Sequence, residues 1–103
     1  MATTTFEVLA EPTRRRILDQ LREGERPVGQ LVMELQLTQP TVSKHLRALK
    51  DAGLVQVRPD AQRRYYRLRV EPLLELDAWL APYRRFWEDR LDDLARHLDE
   101  MED

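Results

Sequence analysis

Apolar residues recur along this chain at two periods, and the points where the period changes divide it into elements. From Pro12 to about Glu23, Ile17, Leu18 and Leu21 form one helical stripe. Pro12 suits the first turn of that helix and Gly24 its stop. A shorter helix is predicted over Val28 to Leu35, turning Leu31, Val32 and Leu35 inward. Gln36 to Gln39 separate it from a polar-faced helix running to Ala52, opened by Thr38 as cap and Pro40 in the first turn, and stopped by Gly53. Its apolar residues Val42, Leu46 and Leu49 fall at i, i+4 and i+7, so they face the core. Ahead of all these, Thr5 to Ala10 predicts a short helix with Phe6 and Leu9 on one side. Two short helices across a tight turn make a helix-turn-helix layout.

Beyond Gly53 the period drops to two. Leu54 to Arg58 and Arg64 to Val70 alternate as strands, with Val55, Val57, Tyr66, Leu68 and Val70 inward and Tyr65, Arg67 and Arg69 outward. The connection Pro59-Asp-Ala-Gln-Arg63 has no glycine, which predicts a longer loop rather than a two-residue turn. A helical period returns from Glu71 to about Met101, bent or broken near Pro82. Leu73, Leu76, Leu80, Tyr83 and Trp87 step by 3,4,3,4, and Leu91, Leu94, Leu98 and Met101 continue by 3,4,3. This narrow seam wants a partner helix. A helix of roughly 30 residues is about 45 Å long, more than a small winged-helix body covers. The expectation is a homodimer interface built from this seam and the N-terminal helix. The alternative, in which the helix folds back on its own core, accounts for the part near Trp79. The predicted fold class is mostly α with a small antiparallel β-hairpin: a winged helix-turn-helix with N- and C-terminal dimerisation helices. Residues 1–103 read as one domain, with 38–69 the recognition helix and wing and 71–101 the C-terminal dimerisation helix or helices.

Charge sharpens this picture. Between Thr38 and Arg69 eight cations stand against Asp51 and Asp60, a net of +6 within a chain of net −2. Residues 70–103 carry eleven acids against four arginines, a net of −7, which reads as a solvated helix face pointing away from any polyanion. A protein that is acidic overall but concentrates cations on one helix and hairpin has shaped that surface for double-stranded DNA. With no cysteine, disulfides, thiolate metal sites and cysteine nucleophiles are excluded. Neither a secretory signal nor a bilayer-spanning run is expected, so the predicted location is the cytoplasm and no membrane partner is expected. No glycine-rich phosphate loop, nucleophile elbow or inward carboxylate pair supports an enzyme.

The residues expected to meet DNA follow from the wheel and the hairpin. Ser43, Lys44 and Arg47 point outward, with Gln39 and Thr41 at the exposed N-terminal end beside the cap Thr38. Such residues can reach base edges in the major groove. Arg58, Arg63 and Arg64 near the hairpin tip form a wing along the phosphates. His45 is divided between packing within the motif and a DNA contact. Arg14, Arg15 and Arg16 are either a solvated face or further phosphate contacts. A pure protein-interaction module on the same scaffold is the second reading, but it has no need of this cluster of outward polar and basic residues. Trp79 and Trp87 admit a small-molecule effector pocket at the interface without indicating one.

With these residues in place, a resemblance emerges. Leu9-Ala-Glu-Pro-Thr-Arg-Arg-Arg-Ile-Leu18, Gln39-Pro-Thr-Val-Ser-Lys-His-Leu46, Leu49-Lys-Asp-Ala-Gly-Leu-Val55 and Arg64-Tyr-Tyr-Arg-Leu68 are similar to the ArsR/SmtB winged-helix transcriptional repressors over about residues 6 to 101. The resemblance implies a dimeric bacterial repressor whose Gln39–Lys50 helix enters the major groove, whose wing touches the backbone and whose terminal helices make the dimer. Metal-responsive members use paired cysteines in the third helix, or acid and histidine ligands on the last. Here the third helix has no cysteine. His97-Leu-Asp-Glu100 keeps one fragment, but its matching acid-x-histidine falls on Arg84 and Phe86. The chain therefore resembles the branch without metal-binding motifs; no metal or cofactor is expected.

Overall fold

A computed structural model describes residues 5–102. Its elements run α1 (Thr5–Leu9), α2 (Pro12–Arg22), β1 (Arg26–Pro27), α3 (Val28–Leu35), α4 (Gln39–Asp51), β2 (Val55–Asp60), β3 (Arg63–Leu68) and α5 (Glu71–Glu102). The strands form an antiparallel sheet in the order β1-β3-β2. The architecture is a winged helix-turn-helix, mostly helical, with a three-stranded sheet rather than a bare hairpin.

Local chemistry sets the helix ends. Glu11 caps α2 by accepting the Thr13 backbone N–H at 2.9 Å, and Thr38 caps α4 by accepting that of Thr41 at 3.3 Å. At the far end of α4, Gly53 takes a φ of 77°. There the Leu54 N–H reaches the Leu49 carbonyl and the Gly53 N–H that of Lys50, both at 2.9 Å. This paired closure brings Leu54 back over Leu49, and both are fully buried. The turn between α3 and α4 is Gln36-Leu37-Thr38, one residue shorter than the sequence suggested, because Gln36 adopts a left-handed conformation with φ 57°.

The core gathers Ile17 and Leu21 of α2, Leu31 and Leu35 of α3, and Val42, Leu46 and Leu49 of α4 around Leu54 and Val55. Leu31, Val42, Leu46 and Leu49 have no exposed surface, so the three helices are held in fixed relation. In α1 the buried residues are Thr5 and Val8. Phe6 lies at the surface, edge-on to Trp79 of α5 with centroids 5.6 Å apart.

The wing departs from expectation. Asp60 pairs with Arg63, leaving a two-residue turn at Ala61-Gln62. Ala61 provides the positive φ, 56°, that such turns usually take from glycine. Val70, expected inward, is 54% exposed, because β3 ends at Leu68 and the chain turns into α5. The short β1 pairs Arg26 with Tyr66 and Pro27 with Tyr65, which half-buries both tyrosines. α5 continues through Pro82 as one helix; the pyrrolidine removes one backbone donor without ending it.

Candidate nucleic-acid interface

The core fixes which side of α4 is left to solvent. With Val42, Leu46 and Leu49 buried, Gln39, Ser43, Lys44, Arg47 and Lys50 are exposed along the opposite side. Thr38 is exposed at the N-terminus, where its hydroxyl also donates to the Thr41 hydroxyl at 2.8 Å. Thr41 is half-buried and occupied in that cap. An open cleft joins the start of α4 to the wing: Gln39 lines one side, Gln62, Arg63 and Arg64 another, and Gly29 and Gln30 of α3 the floor. The reading helix and the wing tip therefore share one concave surface. Gln30 and Gln62 were not singled out from the sequence; their only signal was proximity to a turn.

The cations of the basic window divide into two groups. Arg58 is held by Glu25, with Nη2 to Oε1 at 2.5 Å, lies 3.6 Å from an Asp60 oxygen, and sits over the Tyr65 ring at 4.8 Å. Its hydrogen bond to Glu25 raises the guanidinium pKa, and the same bond lowers that of the Glu25 carboxyl. Arg67 donates to the Gln56 side chain at 3.2 Å and Arg69 pairs with Glu71 at 3.5 Å. The side chains of Lys44, Arg47, Lys50, Arg63 and Arg64 make no hydrogen bond or ion pair among the described residues. Of the wing arginines named from sequence, Arg63 and Arg64 are unengaged while Arg58 is compensated by an acid.

His45 is half-buried and turned toward α2, where the Arg14 Nε–H donates to its Nδ1 at 3.2 Å. Burial, then the Arg14 charge, pushes the imidazole pKa below its ordinary value. The neutral ring with its proton on Nε2 is the form that can accept this bond. The packing role weighed for His45 is thus occupied. The neighbouring Arg15 and Arg16 stay exposed, as on a solvated face, and each also gives a guanidinium N–H to a backbone carbonyl. Arg15 Nη1 donates to the Leu9 carbonyl at 2.7 Å, and Arg16 Nη2 to the Leu35 carbonyl at 3.2 Å, closing the C-termini of α1 and α3. Elsewhere, His97 and Glu100 stand exposed on α5, and the described residues contain no group of three or more potential metal ligands.

A buried three-helix core, an exposed polar helix and a basic two-stranded wing on the same side define the winged helix-turn-helix class. The model of the bacterial regulatory proteins of the arsR family matches residues 11–57. The HTH-type transcriptional regulator Rv2034 of Mycobacterium tuberculosis is 39% identical over 94 residues, covering 91% of this chain and 85% of that protein. The transcriptional repressor SdpR of Bacillus subtilis is 32% identical over 75 residues, covering 73% and 83%. A homodimeric winged helix-turn-helix DNA-binding domain from Mycobacterium bovis, solved in solution, superimposes with a TM-score of 0.62 at 35% identity, covering 77% of this chain and 73% of that one. The chain belongs to the arsR family of bacterial regulatory proteins.

Proposed function

We propose that this protein is a sequence-specific transcriptional repressor that binds double-stranded DNA as a homodimer over an inverted repeat. The observation that carries this reading is the shared surface of α4 and the wing. Gln39 and Ser43 offer hydrogen bonds beside Lys44, Arg47, Arg63 and Arg64, whose charges no acid of the described chain neutralises. Unengaged guanidinium and ammonium groups are what phosphates draw on, and short polar groups between them suit base edges. The repressor named among its relatives and the homodimeric domain among its structural neighbours support the same reading. In this reading Thr38, Gln39, Thr41, Ser43, Lys44 and Arg47 meet DNA from α4, and Arg63 and Arg64 from the wing. Arg58 and His45 act behind that surface, through Glu25 and Arg14. The protein works in the cytoplasm without catalysis, since family and fold are those of regulators.

Selection of bound fragments from random duplex DNA tests binding, symmetry and spacing together. The expected product is a two-fold symmetric consensus with half-sites about one helical turn apart. Recovery of no preferred sequence at moderate ionic strength overturns the proposal.

A further inference from the structure

Every nitrogen of the Arg58 guanidinium faces an acid. Nε lies 3.3 Å and Nη2 2.5 Å from the two carboxylate oxygens of Glu25, and Nη1 lies 3.6 Å from Asp60. The Tyr65 ring, 4.8 Å from the guanidinium carbon, closes one of its flat sides. A two-pronged contact between arginine and carboxylate uses the same donors, in the same fork, as arginine on a phosphate. Glu25 therefore occupies the place an incoming phosphate would take.

The acid comes from far along the chain. Glu25 precedes β1 and lies 33 residues from Arg58. In the register of the sheet Pro27 of β1, Tyr65 of β3 and Arg58 of β2 stand side by side, so the Arg58 side chain crosses the central strand to reach it. The bridge is not needed to hold β1. Its first residue, Arg26, pairs with Glu34 of α3 at 3.0 Å, with side chains 20% and 25% exposed, and the backbone of β1 pairs with β3. The Arg58 and Glu25 side chains are 46% and 36% exposed, and ion pairs so open to water contribute little to stability. What the pair changes is charge.

Arg58 stands where one more cation would count. Asp60, two residues further on, pairs with Arg63, and alternation along the strands puts Arg58 and Arg63 on one face of the wing. Two residues of strand span about 7 Å, so an Arg58 side chain freed from Glu25 can follow the same sugar-phosphate backbone as Arg63. The hydrogen bond from Arg58, ahead of the charges of Arg58 and Arg67, lowers the Glu25 carboxyl pKa, which keeps the acid ionised.

We propose that Glu25 stands in for a phosphate and withholds Arg58 from DNA, limiting the protein's sequence-independent grip on any duplex. This rests on the DNA-binding surface of the proposed function and gives that surface a built-in brake. Backbone contacts carry no sequence information, so each one strengthens binding to all duplexes alike. With Arg58 neutralised, the wing cations left for phosphates are Arg63 and Arg64, and selection rests with Gln39 and Ser43.

Salt titrations of wild type, Glu25→Gln, Arg58→Ala and the double variant test this on an unrelated duplex and on an operator recovered by selection. Glu25→Gln leaves Arg58 a neutral oxygen that a phosphate outcompetes. It should tighten binding to both duplexes, on the order of tenfold to a hundredfold at about 0.1 M salt. The slope of log affinity against log salt should steepen by roughly 2 in a dimer, at about 0.9 per phosphate. The ratio between the two duplexes should not change, and the double variant should return to the slope of Arg58→Ala. An unchanged slope in Glu25→Gln overturns the proposal. So does a gain that persists in the double variant, which marks plain repulsion between Glu25 and DNA. Urea unfolding of Glu25→Gln should match wild type; a large loss of stability also overturns the proposal, because the pair would then be holding the fold. The repressor reading fails separately: a wild type that binds the unrelated duplex but selects no operator rejects that reading and leaves the salt comparison intact.

Discussion

Arg14 and His45 are joined across thirty-one residues of sequence by one hydrogen bond, Nε to Nδ1 at 3.2 Å, which ties α2 to the back of the reading helix. The bond exists only while the imidazole is neutral. Its pKa is lowered in the fold, chiefly by burial and then by Arg14, so the unfolded chain binds this proton more readily than the folded one. Stability from this source is fully present above the ordinary histidine value of 6.5 and is lost as pH falls through it toward the lower folded value. The melting temperature should therefore drop on acidification below about pH 6.5. His45→Asn, whose side-chain oxygen can accept from Arg14 but does not titrate, should remove that part of the drop. An identical pH profile in the variant would show that another group is responsible.

A double-mutant cycle isolates the bond itself. Arg14→Leu and His45→Leu should show a coupling of about 0.5–1.5 kcal/mol in denaturant unfolding, the net worth of an ordinary internal hydrogen bond. Strictly additive effects would mean that the two side chains are neighbours without being partners.

Wing arginines should behave unequally in DNA binding. Replacing Arg63 and Arg64 by Ala removes two unengaged cations from each protomer. In a dimer the slope of log affinity against log salt should flatten by roughly 3–4, at about 0.9 per phosphate contact, with similar losses on all sequences. Arg58→Ala removes a charge already matched by Glu25 and should change the slope far less. Titrations over a range of salt concentrations compare them directly; equal effects from both replacements would contradict this division.

Base reading is assigned to Gln39 and Ser43. Changing either to Ala should relax preference at particular operator positions by about 1–3 kcal/mol per base contact, leaving the salt slope unchanged. Competition between the operator and single-base variants measures it. Selectivity that survived both changes would move the reading surface off this side of α4.

Leu46 supports that surface from beneath. It is fully buried between α4 and the other core helices, so Leu46→Ala should cost about 2–5 kcal/mol of stability. Urea unfolding gives the value, and a cost below about 1 kcal/mol would show a core able to collapse around the gap.

Much of this organisation is legible in the sequence. α3 and α4 declare themselves because their signals are local: Thr38 and Pro40 open α4, Gly53 closes it, and the apolar spacing picks its buried side. The two-residue wing turn is hidden in the sequence because the position that glycine usually fills is taken by Ala61, whose left-handed backbone leaves no mark in composition. β1 escaped notice because two residues carry no period, and its existence depends on Tyr65 and Tyr66, nearly forty residues away. Charge counting located the basic window correctly as a sum. It could not tell that Arg58, Arg67 and Arg69 are engaged while Arg63 and Arg64 are not, since that depends on which acids and amides the fold brings near.

The run Arg14-Arg15-Arg16 carries one more consequence. Three adjacent side chains, pointing about 100° apart, hook three different pieces of the molecule: the imidazole on α4, the end of α1 and the end of α3. Substitution at any one loosens a single attachment. A one-residue insertion between Arg16 and Ile17 would turn the whole trio by about 100° relative to the buried Ile17 and Leu21 and unfasten all three together, so this segment should tolerate exchanges of letters far better than a change in their number.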